Sequence, residues 1–171
     1  MKVVLQRVKS AYVKVNSDVI SEIDNGYLLL WGIEEADSEV ESEILINKIL
    51  NFRIFSDENL KMNKSIIDIS GEILIVSQFT LAGKFLKGNR PSFVNAKSPE
   101  IAEEMILKIV EEFSKYVTVK TGSFGAMMDV GLINDGPATF VLTARNGQLI
   151  DQADWSLVFF PISFLSSCLS R

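Results

Sequence analysis

The chain has 171 residues and a formal net charge of −5, and its 47% hydrophobic and 23% charged content is that of an ordinary globular domain. The acidic balance argues against a globally basic nucleic-acid-binding protein, and the single Cys168 excludes an internal disulfide framework, which suits a reducing, cytoplasmic location. The absence of histidine excludes Ser-His-Asp and Cys-His nucleophiles and most zinc sites, and no segment reaches the roughly 20 apolar residues that span a bilayer, so we expect no cofactor, metal or membrane.

The first 33 residues predict four β-strands joined by short polar turns. The strands are residues 3–8, 11–15, 19–23 and 27–33, and Asn, Asp, Ser and Gly fill the turns between the later ones. This spacing predicts an antiparallel meander. Ser38 and Glu41 then form an S-x-x-E capping box ahead of an apolar stripe, which predicts a helix over residues 39–51.

The second half of the chain predicts one more helix and the remaining strands. Ser98 as N-cap and Pro99 at the first helical position precede apolar residues at a spacing of four. Strands are predicted at residues 72–79, 117–120, 126–133 and 138–143, with a long loop over residues 81–97. The prediction is therefore α+β: a mainly antiparallel sheet or barrel with two principal helices, one domain over residues 1–145 and an extension over residues 146–171.

A polar cluster, Ser77-Gln78-Phe79-Thr80, follows the apolar strand EILIV. Hydroxyl and amide groups offer hydrogen-bond donors and acceptors, and sites are common where strands end. The alternative is ordinary polarity at a strand end, in which Ser and Thr satisfy local backbone groups.

A Gly-Pro pair, Gly136-Pro137, interrupts two apolar runs. Asn134-Asp135-Gly136-Pro137 is rich in turn formers, so a simple turn accounts for it. A cis peptide bond that directs backbone carbonyl groups is the functional alternative, and a cis proline held in place usually has a function.

Two further features bear on ligand binding. Gly122-Ser123-Phe124-Gly125 is either a turn that leads into a core strand or a place where Phe124 stacks on a base. Residues 73–99 contain no Asp or Glu but include Lys84, Lys87, Arg90 and Lys97, which makes this segment either a solvated loop or a surface facing phosphates.

Taken together and in this order, the motifs resemble those of the D-aminoacyl-tRNA deacylases, the D-tyrosyl-tRNA deacylase-like family. The resemblance spans about residues 1–145 and is carried by MKVVLQRV at the start, SQFTL at 77–81, KGNRPSF at 87–93, TGSFGAMM at 121–128 and NDGPATF at 134–140. It implies a homodimer of barrel-like α+β subunits. The implied reaction is hydrolysis of the ester that links a D-amino acid, or achiral glycine, to the terminal adenosine of tRNA.

The resemblance also implies how substrates that carry an L-amino acid are rejected. Gly136 and Pro137 would form a cis peptide that enters the partner subunit's site, where its carbonyls bind the substrate α-amino group and an L side chain clashes. Arg7 matches the arginine that steadies this segment. Such selection by a built-in clash cannot exclude glycine, which has no side chain.

The resemblance implies a catalytic role for the segment that matches the family's SQFT motif, residues Ser77, Gln78, Phe79 and Thr80. The main-chain N–H groups near Phe79 and Thr80 would stabilise the oxyanion of the reacting ester. Thr80 is either a nucleophile or an orienting residue; we favour the latter, with water activated by the tRNA 2′-hydroxyl, because no base assists a threonine hydroxyl here.

The partner implied by the resemblance is the acceptor end of aminoacylated tRNA. Phe124 and Met128 match positions near the terminal adenosine, and Lys84, Lys87 and Arg90 would contact phosphates. The alternative function is a non-catalytic module on the same fold that binds RNA ends or small ligands.

Overall fold

A 14-residue strand at the start of the chain organises the sheet in the computed structural model, which describes residues 1–86 and 88–150. The elements in chain order are β1 (Lys2–Val15), β2 (Asp18–Ile23), β3 (Gly26–Gly32), α1 (Glu39–Leu50), β4 (Phe55–Ser56), β5 (Met62–Lys64), β6 (Glu72–Ser77), a 3₁₀ turn (Phe79–Ala82), α2 (Pro99–Ser114), β7 (Thr118–Thr121), β8 (Asp129–Arg145) and β9 (Gln148–Ile150). Among these residues the main sheet has the order β7-β6-β3-β1-β8-β9, and β2 also pairs with β1.

Strand β1 replaces the first two predicted strands. The polar residues Lys9 and Ser10 do not end it, because β8 pairs along both of its halves and Ser10 lies opposite Ile133. The predicted meander is wrong. Strand β2 pairs with the second half of β1 and β3 with its first half, both antiparallel, so β2 and β3 follow one another along one edge of β1.

The remaining strands make the sheet mixed. Strand β3 pairs in parallel with β6, and β6 pairs in parallel with β7. Helix α1 lies within the first of these parallel crossovers and α2 within the second, as parallel neighbours require. Pairings on both sides of β1 and between β8 and β9 are antiparallel, so the predicted α+β class with a mainly antiparallel, barrel-like sheet and two helices is confirmed.

The main core lies between the curled sheet and the two helices. Trp31 and Phe113 are fully buried and meet edge to face with ring centroids 6.0 Å apart. The predicted stripe on α2 is buried at Met105, Ile109 and Phe113, whereas Ile101 in the first turn of the helix is exposed. In the part of the chain that the structure describes, no helix is long and apolar enough to cross a membrane.

The sheet continues past residue 145. Asn146 and Gly147 form a tight turn with φ angles of 52° and 71°, after which β9 pairs with β8. The predicted extension over residues 146–171 therefore begins with a strand, and residues 151–171 lie outside the described residues. Positive φ at two successive residues is typical of the turns that connect hairpins.

Glu41 connects this hairpin to the start of α1. Its carboxylate accepts hydrogen bonds from the Ser38 backbone N–H at 2.9 Å and the Ser38 hydroxyl at 2.6 Å, and from the Gly147 N–H at 2.9 Å. The predicted capping box is therefore confirmed. These hydrogen bonds, led by that of the Ser38 side chain, lower the pKa of Glu41 from 4.5 to about 2.

We expect the lowered pKa of Glu41 to make stability depend on pH. The unfolded chain binds a proton at a higher pH than the folded chain, so the contribution of Glu41 is complete above pH 4.5 and is lost as the pH falls toward 2. Glu41→Gln should weaken this dependence and lower the free energy of unfolding at pH 7 by about 2 kcal/mol, since charged hydrogen bonds are lost.

Urea unfolding at several pH values measures this effect. Glu43→Gln is the matched control, because Glu43 is exposed on the same helix. Equal pH profiles for wild type and Glu41→Gln would contradict the assignment.

Candidate active site

The polar cluster Ser77-Gln78-Phe79-Thr80 lies where β6 ends and the 3₁₀ turn begins. Ser77 is the last strand residue, opposite Trp31, and the Gln78 N–H donates to the Trp31 carbonyl at 2.8 Å. The turn then packs closely on β3: a Cβ on Gly32 would lie 2.6 Å from the Cβ of Leu81. Of the last two residues of the predicted strand, Gln78 thus precedes the turn as its N-cap and Phe79 belongs to it. Glycine on the neighbouring strand makes room for the turn.

The 3₁₀ turn directs main-chain N–H groups toward its own start. Its first hydrogen bond is donated by the Leu81 N–H to the Gln78 carbonyl at 3.1 Å. The N–H groups of Phe79 and Thr80 precede that bond, and such groups at the start of a helical turn have no acceptor within it. Two adjacent donors of this kind can bind an anionic or strongly polarised oxygen atom.

The side chains of this cluster differ in their environment. The Gln78 amide donates to the Thr80 hydroxyl oxygen at 2.5 Å, and Thr80 is exposed. Phe79 is 57% exposed and its ring meets Phe93 edge to face at 5.1 Å. Because Thr80 accepts from an amide and no histidine exists in the chain, its hydroxyl has no side-chain base of the usual kind to activate it.

An open cleft of about 660 Å³ adjoins the start of the turn. Ser77, Gln78 and Phe79 line one side of it, and Phe124 and Met128 line another. The structure therefore brings together two motifs that are about 45 residues apart in sequence. The walls are largely apolar, so the cleft suits a flat aromatic group bordered by a few polar contacts.

The glycine-rich segment beside Phe124 is a turn. The Ala126 N–H donates to the Ser123 carbonyl at 3.2 Å, and Gly125 has a φ angle of 71° with no other atom within 4 Å of where a Cβ would lie. Phe124 also packs against the main core. The interpretation of this segment as a turn is therefore confirmed, and Phe124 lines the cleft; that Phe124 stacks on a base stays a prediction.

The Gly-Pro pair interrupts the pairing of β8 with β1. Gln6 lies opposite Thr139 and Val8 opposite Asn134, so residues 135–138, here called the Gly-Pro bulge, face the single residue Arg7. The two predicted strands flanking the pair are one strand, β8, with this bulge inside it. A bulge of this kind ends regular pairing and redirects the chain locally.

The expected cis peptide at Pro137 is not found. The described residues contain no cis peptide bond, and Gly136 instead has a φ angle of 109°. Only glycine adopts such a φ angle readily, so glycine rather than a cis proline supplies the change of chain direction. Gly136 and Pro137 are both exposed.

The Gly-Pro bulge does not line the cleft of its own chain. Going across the sheet from the cleft, Ser77 on β6 pairs with Trp31 on β3, and Trp31 pairs with Val3 on β1. Val3 pairs in turn with Leu142 on β8, and Arg7, which faces the bulge, lies four residues farther along β1 than Val3. Three strand spacings and four residues correspond to roughly 20 Å in a flat sheet. The two predicted halves of the site are therefore on separate parts of one chain.

The predicted phosphate contacts are also apart from the cleft. Lys84 and Arg90 are exposed and do not line it, and Lys87 lies outside the described residues. Lys84 exchanges two backbone hydrogen bonds of 2.8 Å with Ser92 across the loop. Lys97, the fourth cation of the same segment, lines the cleft, as does Phe93. Phe93 is part of the KGNRPSF motif, but nothing local indicates that it meets Phe79.

Fold and site together define a class: a single α+β sheet protein whose strand-end turn directs N–H donors beside an apolar cleft. The family model for D-Tyr-tRNA(Tyr) deacylase matches residues 4–143. D-aminoacyl-tRNA deacylase from Persephonella marina is 50% identical over 145 residues, which is 85% of this chain and 99% of that protein. The protein of that name from Fusobacterium nucleatum is 45% identical over 150 residues, 87% of this chain and 99% of its own.

Two solved structures have a similar fold. The c-Myc DNA Unwinding Element Binding Protein superposes with a TM-score of 0.81 at 44% identity, covering 85% of this chain and 99% of its own. A probable eukaryotic D-amino acid tRNA deacylase, at 16% identity and a TM-score of 0.67, has the same fold over 82% of this chain and 97% of its own. The chain belongs to the D-Tyr-tRNA(Tyr) deacylase family, and the prediction of an enzyme of the hydrolase class is confirmed.

We expect Gly136→Ala to destabilise the protein. A Cβ at this position would lie 2.4 Å from Arg7 Nη2, and the φ angle of 109° is strained for alanine. The free energy of unfolding should fall by about 2 kcal/mol, measured by urea unfolding.

Gly125→Ala is the control for a positive φ angle, and it should cost less than Gly136→Ala because 71° lies close to the left-handed region that alanine can adopt. Gly125 also has a positive φ angle, but a Cβ there meets no neighbouring atom within 4 Å. An equal loss of stability in both variants would show that contact with Arg7 contributes nothing.

Proposed function

We propose that the chain hydrolyses the ester bond of D-aminoacyl-tRNA, and of glycyl-tRNA, releasing the free amino acid and tRNA while sparing L-aminoacyl-tRNA. The observation that carries the proposal is the pair of N–H groups of Phe79 and Thr80 beside an apolar cleft, in a member of a deacylase family. The cleft would hold the terminal adenosine between Phe124 and Met128, and the ester would lie against the turn.

In this proposal the protein contributes donors rather than a nucleophile. Water attacks the ester carbonyl carbon, and the carbonyl oxygen becomes an oxyanion that accepts from the Phe79 and Thr80 N–H groups. The tetrahedral intermediate then collapses, the bond to the ribose oxygen breaks, and that oxygen takes up a proton. The neighbouring 2′-hydroxyl of tRNA assists the proton transfer, because the Thr80 hydroxyl already accepts from Gln78 and lacks a histidine base.

Chiral selection requires a second copy of the chain. Gly136 and Pro137 are exposed and lie well away from the cleft of their own chain, so their carbonyls are available to a neighbouring subunit. In a homodimer they would bind the substrate α-amino group across the interface. An L side chain would then point into the Gly-Pro bulge, whereas a D side chain or the hydrogen of glycine would point away.

The segment of residues 73–99, which contains no Asp or Glu, would contact the acceptor end of tRNA. Lys84 and Arg90 are exposed there, and Phe79 and Phe93 form an exposed aromatic pair beside the cleft. Exposed aromatic rings and cations on the same segment of the chain suit a short single-stranded RNA end. A local patch of this kind is compatible with a net charge of −5, because only a small part of the tRNA is contacted.

The test is deacylation of matched D- and L-tyrosyl-tRNA by the purified full chain. We expect rapid loss of the D-ester and little loss of the L-ester, measured as acid-precipitable label over time. Equal loss of both esters would refute chiral selection. Binding of D-tyrosyl-tRNA without any loss of ester would refute catalysis and favour the non-catalytic RNA-binding module.

Replacing Thr80 separates its two possible roles. We expect Thr80→Ala to keep deacylation of D-tyrosyl-tRNA within about tenfold of wild type, because only an orienting hydrogen bond with Gln78 is lost. Thr80→Ser is the control, since it keeps the hydroxyl. If Thr80→Ala is inactive with tRNA binding intact while Thr80→Ser is active, Thr80 is the nucleophile.

A further inference from the structure

Arg7 lies at the larger of two irregularities in the pairing of β1 with β8, and Lys9 marks the other. Arg7 is 7% exposed, on the central strand, opposite the four residues of the Gly-Pro bulge. A guanidinium group cannot lose its proton in a protein, so a buried arginine must be paired. Its partners therefore determine where the bulge can lie.

Three groups surround the guanidinium. Arg7 Nε lies 2.9 Å from Asp135 Oδ2, an ion pair rather than an aligned hydrogen bond. Arg7 Nη1 donates to the Ile54 carbonyl, and the guanidinium carbon lies 6.0 Å from the centre of the Phe55 ring. One side of Arg7 is thus held by the segment leading into β4, and the other is held by the bulge.

The guanidinium also occupies the space beside Gly136. Arg7 Nη2 is 2.4 Å from where a Cβ on Gly136 would lie, so the backbone of the bulge is in direct contact with it. Arg7 therefore bounds the bulge on the side where a side chain at position 136 would lie.

Asp135 is the only carboxylate that pairs with Arg7 among residues 1–86 and 88–150. The other link across the base of the bulge is weak: Asn134 Nδ2 donates to the Thr139 hydroxyl at 3.4 Å, and both side chains are neutral. Asp135 also directly precedes Gly136 in sequence. Holding the Asp135 side chain in place therefore restricts the position of the peptide unit that joins the two residues. Charged pairs give more geometric control than neutral hydrogen bonds of this length.

We propose that Asp135 is a positioning residue for stereochemical selection, acting through Arg7 to hold the Gly136 and Pro137 carbonyls in place. The inference rests on the proposed function, in which these carbonyls meet the substrate α-amino group. Without the ion pair the bulge relaxes, and an L side chain is no longer excluded by a fixed backbone.

The experiment measures the ratio of D- to L-tyrosyl-tRNA deacylation rates for Asp135→Asn, Arg7→Met and the double variant. Asp135→Asn is nearly isosteric and removes only the charge, and Asp135→Glu restores a carboxylate that can reach Arg7. Asp129→Asn is the matched control, because Asp129 is an exposed carboxylate at the start of the same strand. Thermal unfolding of every variant shows whether the fold is retained.

We expect Asp135→Asn to lower the ratio about fivefold, the scale of one partly exposed ion pair, with the L-ester rate rising. Asp135→Glu should recover most of the ratio, and Asp129→Asn should leave it unchanged. The double variant should be no less selective than Arg7→Met alone, because two residues that act through one contact are not additive. Recovery by Asp135→Glu together with this non-additivity is not expected of a merely structural role.

Two outcomes overturn the inference in distinguishable ways. If wild type selects the D-ester and Asp135→Asn selects it equally well, Asp135 has no positioning role and the proposed function stands. If wild type does not distinguish the two esters, the proposed function fails in the unmodified protein, and the inference fails with it.

Discussion

The hydrogen-bond register between β1 and β8 is the constraint on which the rest of the molecule depends. Strand β1 pairs with β8 along one edge and with β3 and β2 along the other, so its position sets the whole sheet. Regular pairing is interrupted most where Arg7 faces the Gly-Pro bulge, and once more, by a single residue of β1, at Lys9. Because pairing is restored on both sides of the break, the bulge is held at its two ends, and its four residues have little freedom to slide along the strand.

The candidate site is built chiefly from backbone. Donors come from the N–H groups at the start of a 3₁₀ turn, and in the proposed function the acceptors are the carbonyls of Gly136 and Pro137. Backbone groups in fixed elements need no ionisation and no change of rotamer, so a chain without histidine can still stabilise developing charge. In the same proposal the side chains around them, Arg7 and Gln78 among them, determine orientation more than reactivity.

Sequence patterns succeeded where one local rule was sufficient. The capping box of Ser38 and Glu41, the start of α2 at Pro99 and the turn chemistry after β1 each depend on a few neighbouring residues. They failed where strand pairing decided the outcome. The polar pair Lys9-Ser10 suggested a break that pairing with β8 overrides, and Gly136-Pro137 suggested either a turn or a cis bond where the structure has a bulge with positive φ at glycine.

The sequence by itself determined the class of fold, the positions of both helices and the motifs that identify the family. The periodicity of hydrophobic residues, the helix caps and the order of the motifs are all local features of the sequence, so no tertiary contact is needed to find them. Only the tertiary structure decided which motifs meet. Ser77 and Phe124 share a cleft because β6 and β7 are parallel neighbours, whereas Gly136 lies across the sheet from both. Asp135 reaches Arg7 because β8 bulges where β1 carries a buried cation. Contacts between residues far apart in sequence follow from strand order and register, and no local pattern contains that information.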